Sequence, residues 1–358
     1  MIQIDVLLSE DQIAQEFLDA LENHDLPEKF FYWFPLSIRA WINLCGDGAY
    51  RNYARSHSVL QTHAPDLVSM LPSGPIEVIS LGAGQGTKDF LIMEQLRTQG
   101  KYPNYRPVDA SQGLLEIACQ TAQDKNFSCR GLKADLNNDA HLTDMQTNQD
   151  DKPRLIMLLG NTLGAFDPLK FPSQLDTMMR PQDFLILDGE LFSPTETMAG
   201  YDNPINRQFA FGPLSSVGLS EPDDGTLYFA TEIDNRQPGL YRIRKHFQVA
   251  RDLSIMLAGE TVQLLSDTQI EMSWSYKYDR DTLVGLITSS GMQLVAEYAS
   301  TDKRFLTLLA KKYAKKNDQK TIALVFLRTN IISLFQIFID CLVDRVRFPP
   351  PPPRYYSI

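Results

Sequence analysis

Hydrophobic and polar positions along the chain follow two different periods. Up to about residue 70 the apolar positions recur at helical spacing, as in Ile13, Phe17, Leu18 and Leu21, a run closed by residues 25–27 (DLP). Two aromatic patches follow, KFFYWFP at 29–35 and AYRNYARSH at 49–57. Packing of one helix on another accounts for most such rings. From residue 75 the rhythm alternates. Residues 77–81 (EVISL) read as a short apolar strand, and a helical pattern starts at Thr87, with Phe90, Leu91, Met93 and Leu96 apolar and Gly100 as its stop. Residues 105–110 read as a second strand, Ser111 as the cap of a helix carrying Leu114, Leu115, Ile117 and Ala118, and 127–136 as a third strand. Residues 154–159 (RLIMLL) suit a strand buried on both faces, and 183–190 form another. Strands alternating with helices predict a parallel α/β sheet.

The alternation stops between 192 and 274. Period-two patterns around 227–233 and 240–250 predict antiparallel strands there, in what reads as an inserted subdomain. A helix at 281–290, a strand at 293–299 and a last strand at 305–309, pairing back as a hairpin, then resume the sheet. The expected division is an N-terminal helical part of a substrate domain (1–70), a sheet domain (71–191), an inserted α+β substrate subdomain (192–274), the C-terminal part of the sheet domain (275–313) and an atypical tail (314–358). In the tail, the apolar run 331–343 is interrupted by Asp340 and falls short of the roughly 20 residues of a membrane span. Five prolines at 349–353 would be extended polyproline II. An unintegrated extension is the expectation, with lysine-rich 311–316 as a solvated segment.

The candidate chemistry centres on residues 81–88, LGAGQGTK. Glycines at 82, 84 and 86 between a strand and a helix let backbone N–H groups approach a nucleotide-like ligand. A dinucleotide fingerprint, G-x-G-x-x-G/A, would need Gly or Ala where Thr87 stands. The spacing favours an adenosyl ligand without a pyrophosphate, such as S-adenosylmethionine, over NAD and an oxidoreductase. Asp109 ends the second strand at the distance where an acidic residue accepts ribose hydroxyls. Asp135, followed by Leu136, ends the third, where it can take an adenine amino group or simply sit in a loop. The loop GNTLGAFDP at 160–168 lies beyond a strand's carboxyl end, where the reacting groups of an open sheet belong. Net charge of −10 and a pI near 5.1 argue against sequence-independent grip on nucleic acid. Four cysteines without a C-x-x-C pair, and His57 and His63 off the spacing of a helical metal site, imply reduced cytoplasmic thiols and no metal. The N-terminus lacks the basic region and long apolar core of a signal peptide.

In this order of elements the chain resembles the histidine-specific, S-adenosylmethionine-dependent methyltransferases, from about Pro27 to Lys312. Some members trimethylate the α-amine of histidine on the way to ergothioneine, and fungal relatives N-methylate a prenylated tryptophan. The resemblance is carried by KFFY (29–32), LGAGQGTK (81–88), PVDAS (107–111), LGNTLGAFDP (159–168), GYDN (200–203), GE (259–260), SYKY (275–278) and FLTLLA (305–310). It implies a Rossmann-like class I methyltransferase sheet with a C-terminal antiparallel hairpin. Gly82, Gly84 and Lys88 would surround the cofactor's methionine part, Asp109 would hold the ribose, and Asp135 with Leu136 the adenine. Asn161 would lie near the methyl donor, and Tyr32 and Tyr201 would orient an amino-acid substrate. The family's carboxylate-gripping Asn is replaced by Ala165. Of its imidazole-reading Glu and Ser, the Ser is matched by Ser275 and the Glu by Ser273, with Glu271 two residues earlier, able to substitute if the strand bulges. The expected activity is N-methylation of an amino acid or related small amine, with no metal, nucleic acid or membrane involved. The alternative is a catalytically inactive protein that binds the cofactor and regulates.

Overall fold

The computed structural model describes residues 2–48, 50–146 and 152–312, so the expectations attached to the tail lie outside the described residues. Seven strands come first: β1 (Ile4–Val6), β2 (Pro75–Leu81), β3 (Tyr102–Asp109), β4 (Ser128–Cys129), β5 (Gly131–Lys133), β6 (Arg154–Leu158) and β7 (Phe184–Glu190). Seven more follow: β8 (Gly225–Ile233), β9 (Leu240–Val249), β10 (Leu253–Leu257), β11 (Glu260–Leu264), β12 (Gln269–Tyr278), β13 (Met292–Ala299) and β14 (Phe305–Lys312).

Nine of them build one sheet, in the order β1-β5-β3-β2-β6-β7-β14-β13, with β4 alongside β3. Pairing is parallel from β1 through β7, and β14 runs antiparallel to both β7 and β13. Alternating residues of β2 feed two cores: Ile79 and Leu81 face one side, Ile76 and Val78 the other. β6 is buried at every position: residues 155–158 are apolar, and the buried Arg154 is paired with Asp183. The connecting helices start where the chain supplies a cap. Ser111 Oγ accepts from the Leu114 amide at 3.3 Å to begin Gln112–Asp124, and Gly86, in the left-handed region, precedes Thr87–Thr98. Since β3 and β6 flank β2 on opposite sides, the connections after β2 and β6 diverge and leave a crevice at the carboxyl ends.

A third core lies beyond those ends. It is built from an antiparallel sheet β12-β9-β8, the hairpin β10-β11, the N-terminal helix Glu10–Glu22, the 3₁₀ turn Glu28–Tyr32, the helix Pro35–Gly46 and short helices including Pro204–Ala210. Phe17, Phe30, Phe31, Phe209 and Phe247 fill it. The aromatic cluster at 29–35 therefore mostly packs: Phe30 and Phe31 are fully buried.

Three details differ from the sequence expectation. β1 was not foreseen; it extends the sheet edge parallel to β5. The third strand, expected at 127–136, survives only as β4 and β5. The chain changes partners at Arg130, whose amide still bonds Tyr105 O (3.0 Å) while the Gly131 amide bonds Gln3 O (2.9 Å). Lys311 and Lys312, expected in a solvated segment, finish β14, and Lys312 Nζ donates to Met179 O at 2.8 Å. The described residues belong to one compact unit, and no described helix is long and apolar enough to cross a membrane.

Candidate functional site

The crevice is a cleft of about 1410 Å³, including the space open to solvent. Its lining runs from the glycine turn after β2 to Tyr32 and Phe209 of the third core.

At one end lies the glycine turn. Gly82, Gly84 and Gly86 have φ of +66°, +55° and +75°, in the left-handed region that L side chains avoid. At Gly82 space also decides, because a Cβ would stand 2.8 Å from Thr162 Cγ2 in the loop after β6. The Gly84 amide donates to Asp109 Oδ2 (2.8 Å) and the Ser111 amide to Oδ1 (2.9 Å). Asp109 thus fastens the end of β3 to the turn after β2. Burial pushes its carboxyl above the usual range, and these amides oppose the rise. A carboxylate has about four acceptor sites, so two amide bonds leave capacity for hydroxyls in the cleft.

Farther along, Asp135 accepts from the Asn137 amide (2.8 Å) and is paired with Lys29 Nζ at 2.6 Å, Lys29 also reaching Glu16. Leu136 lines the cleft next to it. On the opposite wall Lys88 Nζ lies flush against Gly160, where a Cβ would collide with it, and 5.4 Å from the Tyr53 ring centroid. The buried Asp188 accepts from the Gly160 (2.6 Å) and Asn161 (2.8 Å) amides and from Ser56 Oγ (2.5 Å), holding this loop. Asn161 lines the cleft, but its amide is committed to the protein. Its Oδ1 accepts from the Glu190 amide (2.9 Å), and its Nδ2 donates to Ser275 Oγ (3.2 Å) and Tyr276 O (3.4 Å). It ties the loop to β7 and β12.

The other end of the cleft is aromatic and charged. Tyr32 packs edge-on against Trp41, 5.2 Å between centroids, and donates to Glu28 Oε1 at 3.1 Å. Tyr201 donates to Ser275 Oγ at 3.1 Å, under Lys277 Nζ at 4.9 Å from its ring. Burial pushes both phenols well above their usual range, so they stay protonated donors. Lys277 is buried and bonds Glu190 (3.0 Å) and Ser275 Oγ (2.8 Å).

The fold thus gathers Tyr32, Gly82, Gly84, Lys88, Asp109, Asp135, Leu136, Asn161, Tyr201 and Ser275 around one cleft. It leaves Glu271 and Ser273 off its lining. The strand does bulge, between Glu271 and Trp274, but Glu271 is tied to Arg244 Nε at 2.8 Å on the neighbouring strand. Ser273, at φ +65°, donates instead to Glu28 Oε2 at 2.6 Å. The carboxylate beside it therefore comes from a 3₁₀ turn 245 residues away. Sequence reasoning missed Glu28 and Lys245, and saw Lys29 and Lys277 only as letters of a motif. Lys245 had left a signal: it sits in phase with Ile243, Phe247 and Val249, the buried face of β9.

A parallel sheet with one antiparallel strand next to its far edge, and a glycine turn facing an acidic strand end, define a Rossmann-like class I methyltransferase fold. The chain belongs to the histidine-specific, S-adenosylmethionine-dependent methyltransferase family, whose sequence profile matches residues 12–312. Ergothioneine biosynthesis protein 1 of Neurospora crassa is 26% identical over 265 residues, which are 71% of this chain and 29% of that protein. N-methyltransferase fsqC of Aspergillus fumigatus is 22% identical over 79% of each chain. Histidine N-alpha-methyltransferase of Mycobacterium tuberculosis is 28% identical over 39% of this chain and 44% of that one. This chain therefore spans under a third of the Neurospora protein's length. Among solved structures, an S-adenosylmethionine-dependent methyltransferase from Clostridium acetobutylicum superposes over 71% of this chain and 92% of that one, at 12% identity and a TM-score of 0.39, a likeness too loose to weigh.

Proposed function

We propose that this protein transfers a methyl group from S-adenosylmethionine to the nitrogen of a small amino acid or related amine. The observation that carries this is the single cleft with two unlike ends. One offers a glycine turn and two carboxylates, Asp109 and Asp135; the other is lined by aromatic rings, those of Tyr32 and Tyr201 among them. The donor half fits the cofactor. Asp109 retains acceptor capacity for ribose hydroxyls, Asp135 and Leu136 suit an adenine edge and face, and Gly82, Gly84 and Lys88 surround the space left for the methionine part. When bound, S-adenosylmethionine supplies an electrophilic methyl group on a sulfonium. The chain's own part is to bind, orient and exclude water, which is where most of the acceleration of such a displacement arises.

Tyr32 and Tyr201 orient the acceptor, since protonated phenols are poor bases. Their rings, with Trp41 and Phe209, also suit a cationic methylated product through cation–π attraction. Asn161 serves by fixing the loop beside the donor rather than by contacting it. Residues 71–191 with 275–312 would form the cofactor part and 192–274 with most of 1–70 the substrate part, but β1 and the helix Arg51–Ser69, expected on the substrate side, belong with the sheet, where Leu60, Leu67 and Val68 pack with Ile76 and Val78. Cytoplasmic residence belongs to the same proposal, supported by the free thiols Cys45, Cys119 and Cys129.

The test is calorimetry with S-adenosylhomocysteine, then titration of that complex with amino acids and amines, then turnover read by mass spectrometry. Cofactor-product binding followed by one to three 14-Da increments on an amine supports the proposal. No binding of S-adenosylhomocysteine overturns it, and binding without turnover of any amine would favour a cofactor-binding regulator.

A further inference from the structure

Lys245 projects from β9 into the substrate end of the cleft, and its side chain is only 5% exposed. Its Nζ stands 4.3 Å over the Phe31 ring and 3.5 Å from Glu28 Oε2. An ammonium carries three donors. Glu28 is its ion-pair partner, and 3.5 Å exceeds a good N–H···O bond. The contrast with Lys277 is instructive, for that second buried lysine is held by Glu190 and Ser275 and caps the Tyr201 ring.

Glu28, meanwhile, is well supplied. It accepts from Tyr32 on one oxygen and from Ser273 on the other, so it does not need Lys245 for itself. Ala165, on the lining of the same cleft, presents a methyl group and no donor. Lys245 is thus a buried cation with one long ion pair, and a buried charge is costly unless hydrogen bonds complete its shell.

We propose that Lys245 receives the carboxylate of the methyl acceptor, making the substrate a free α-amino acid rather than its decarboxylated amine. This rests on the methyltransferase reading above. With the carboxylate on Lys245, the acceptor's amine and side chain would meet other polar groups of the same lining, among them Tyr32, Tyr201, Glu28, Tyr50 and Asn206. Burial pushes the Lys245 ammonium below its usual range, and an incoming carboxylate would favour its charged form.

The full-length protein, first saturated with S-adenosylhomocysteine, is titrated with the twenty L-amino acids and with matched amines such as histamine and tryptamine. Turnover of whatever binds is then followed with S-adenosylmethionine. A charged hydrogen bond contributes about 1.5–3 kcal/mol, so wild type should prefer the amino acid to its amine by about 10- to 150-fold. Lys245→Met should erase that preference by raising KM for the acid, while affinity for S-adenosylhomocysteine stays within about twofold. Lys245→Arg should keep part of the preference.

The proposal is overturned if no amino acid binds the wild-type complex, if acid and amine bind alike, or if Lys245→Met still discriminates. It is equally overturned if Lys245→Met loses turnover of acid and amine together with cofactor binding intact, since Lys245 would then be acting on the amine. Should Lys245→Met fail to fold, the wild-type comparison and Lys245→Arg decide. Failure of S-adenosylhomocysteine to bind wild type is a different result, and defeats the methyltransferase reading itself.

Discussion

Asp109→Asn separates two roles that the geometry assigns to one carboxylate. The first is structural: Oδ1 and Oδ2 each accept a backbone amide, from Ser111 at 2.9 Å and Gly84 at 2.8 Å. A carboxamide has one acceptor oxygen, so its NH₂ must face one of those N–H donors. A buried donor left unsatisfied costs about 1–3 kcal/mol, which should appear in urea unfolding of the cofactor-free protein. The second role is proposed: acceptance of ribose hydroxyls. Losing one hydrogen bond to a charged group costs about 1.5–3 kcal/mol, so the Kd for S-adenosylhomocysteine should rise about 10- to 150-fold. Calorimetry on folded variant, well below its unfolding midpoint, reads the second effect free of the first. A Kd within threefold of wild type, alongside the expected stability loss, would refute the ribose role and leave Asp109 as a clasp for the glycine turn.

Other outcomes follow from the same geometry. Asp89, fully enclosed and hydrogen-bonded to Tyr105 Oη at 2.5 Å, has its carboxyl pushed up to about 6 by burial. A raised carboxyl binds more protons folded than unfolded, so its stability contribution is full below about pH 4 and declines as pH rises through about 6. The stability of Asp89→Asn relative to wild type should therefore improve by about 2 kcal/mol from pH 4 to 7.5, measured by urea unfolding without cofactor; a flat difference would contradict it. Lys277→Met strands Glu190, which is buried, and should cost about 3–5 kcal/mol, while the double variant with Glu190→Gln recovers a large part of the loss in a denaturation cycle. Gly82→Ala forces a Cβ against Thr162 at φ +66°; Thr162→Ser should relieve the collision but not the backbone strain, so rescue in a thermal melt is partial, and full rescue would refute the strain. Glu28→Gln should weaken binding of the acceptor and leave that of S-adenosylhomocysteine within about twofold by calorimetry.

The cofactor half was legible because it is written locally. The glycines after β2, the acidic end of β3 and the apolar runs of β6 and β7 each owe their place to their own few residues, so periodicity and turn chemistry found them. Elements with little local signal escaped. β1 is three residues long and none of them is buried, so only pairing with β5 makes it a strand. The expected third strand was shortened by an exchange of hydrogen-bond partners at Arg130, which no local pattern encodes.

The substrate half was obscure for a related reason: its charges are paired over long distances. Lys29 reaches Asp135 106 positions away, Glu28 reaches Ser273 at 245, and Asn52 reaches Glu190 at 138. Glu271 shows how an alignment misleads there. It stands beside a bulge that would be needed to deliver it to the cleft, and the bulge exists, but Arg244 on the adjoining strand takes its carboxylate. Lys245 is the opposite case. A lysine in the buried phase of an otherwise apolar strand face, between Ile243 and Phe247, breaks the local pattern. Such a break is tolerated only where the charge has something to meet, and here the nearest space is the cleft. Substrate specificity in this chain is therefore better sought from its out-of-pattern charges than from the letters it shares with its family.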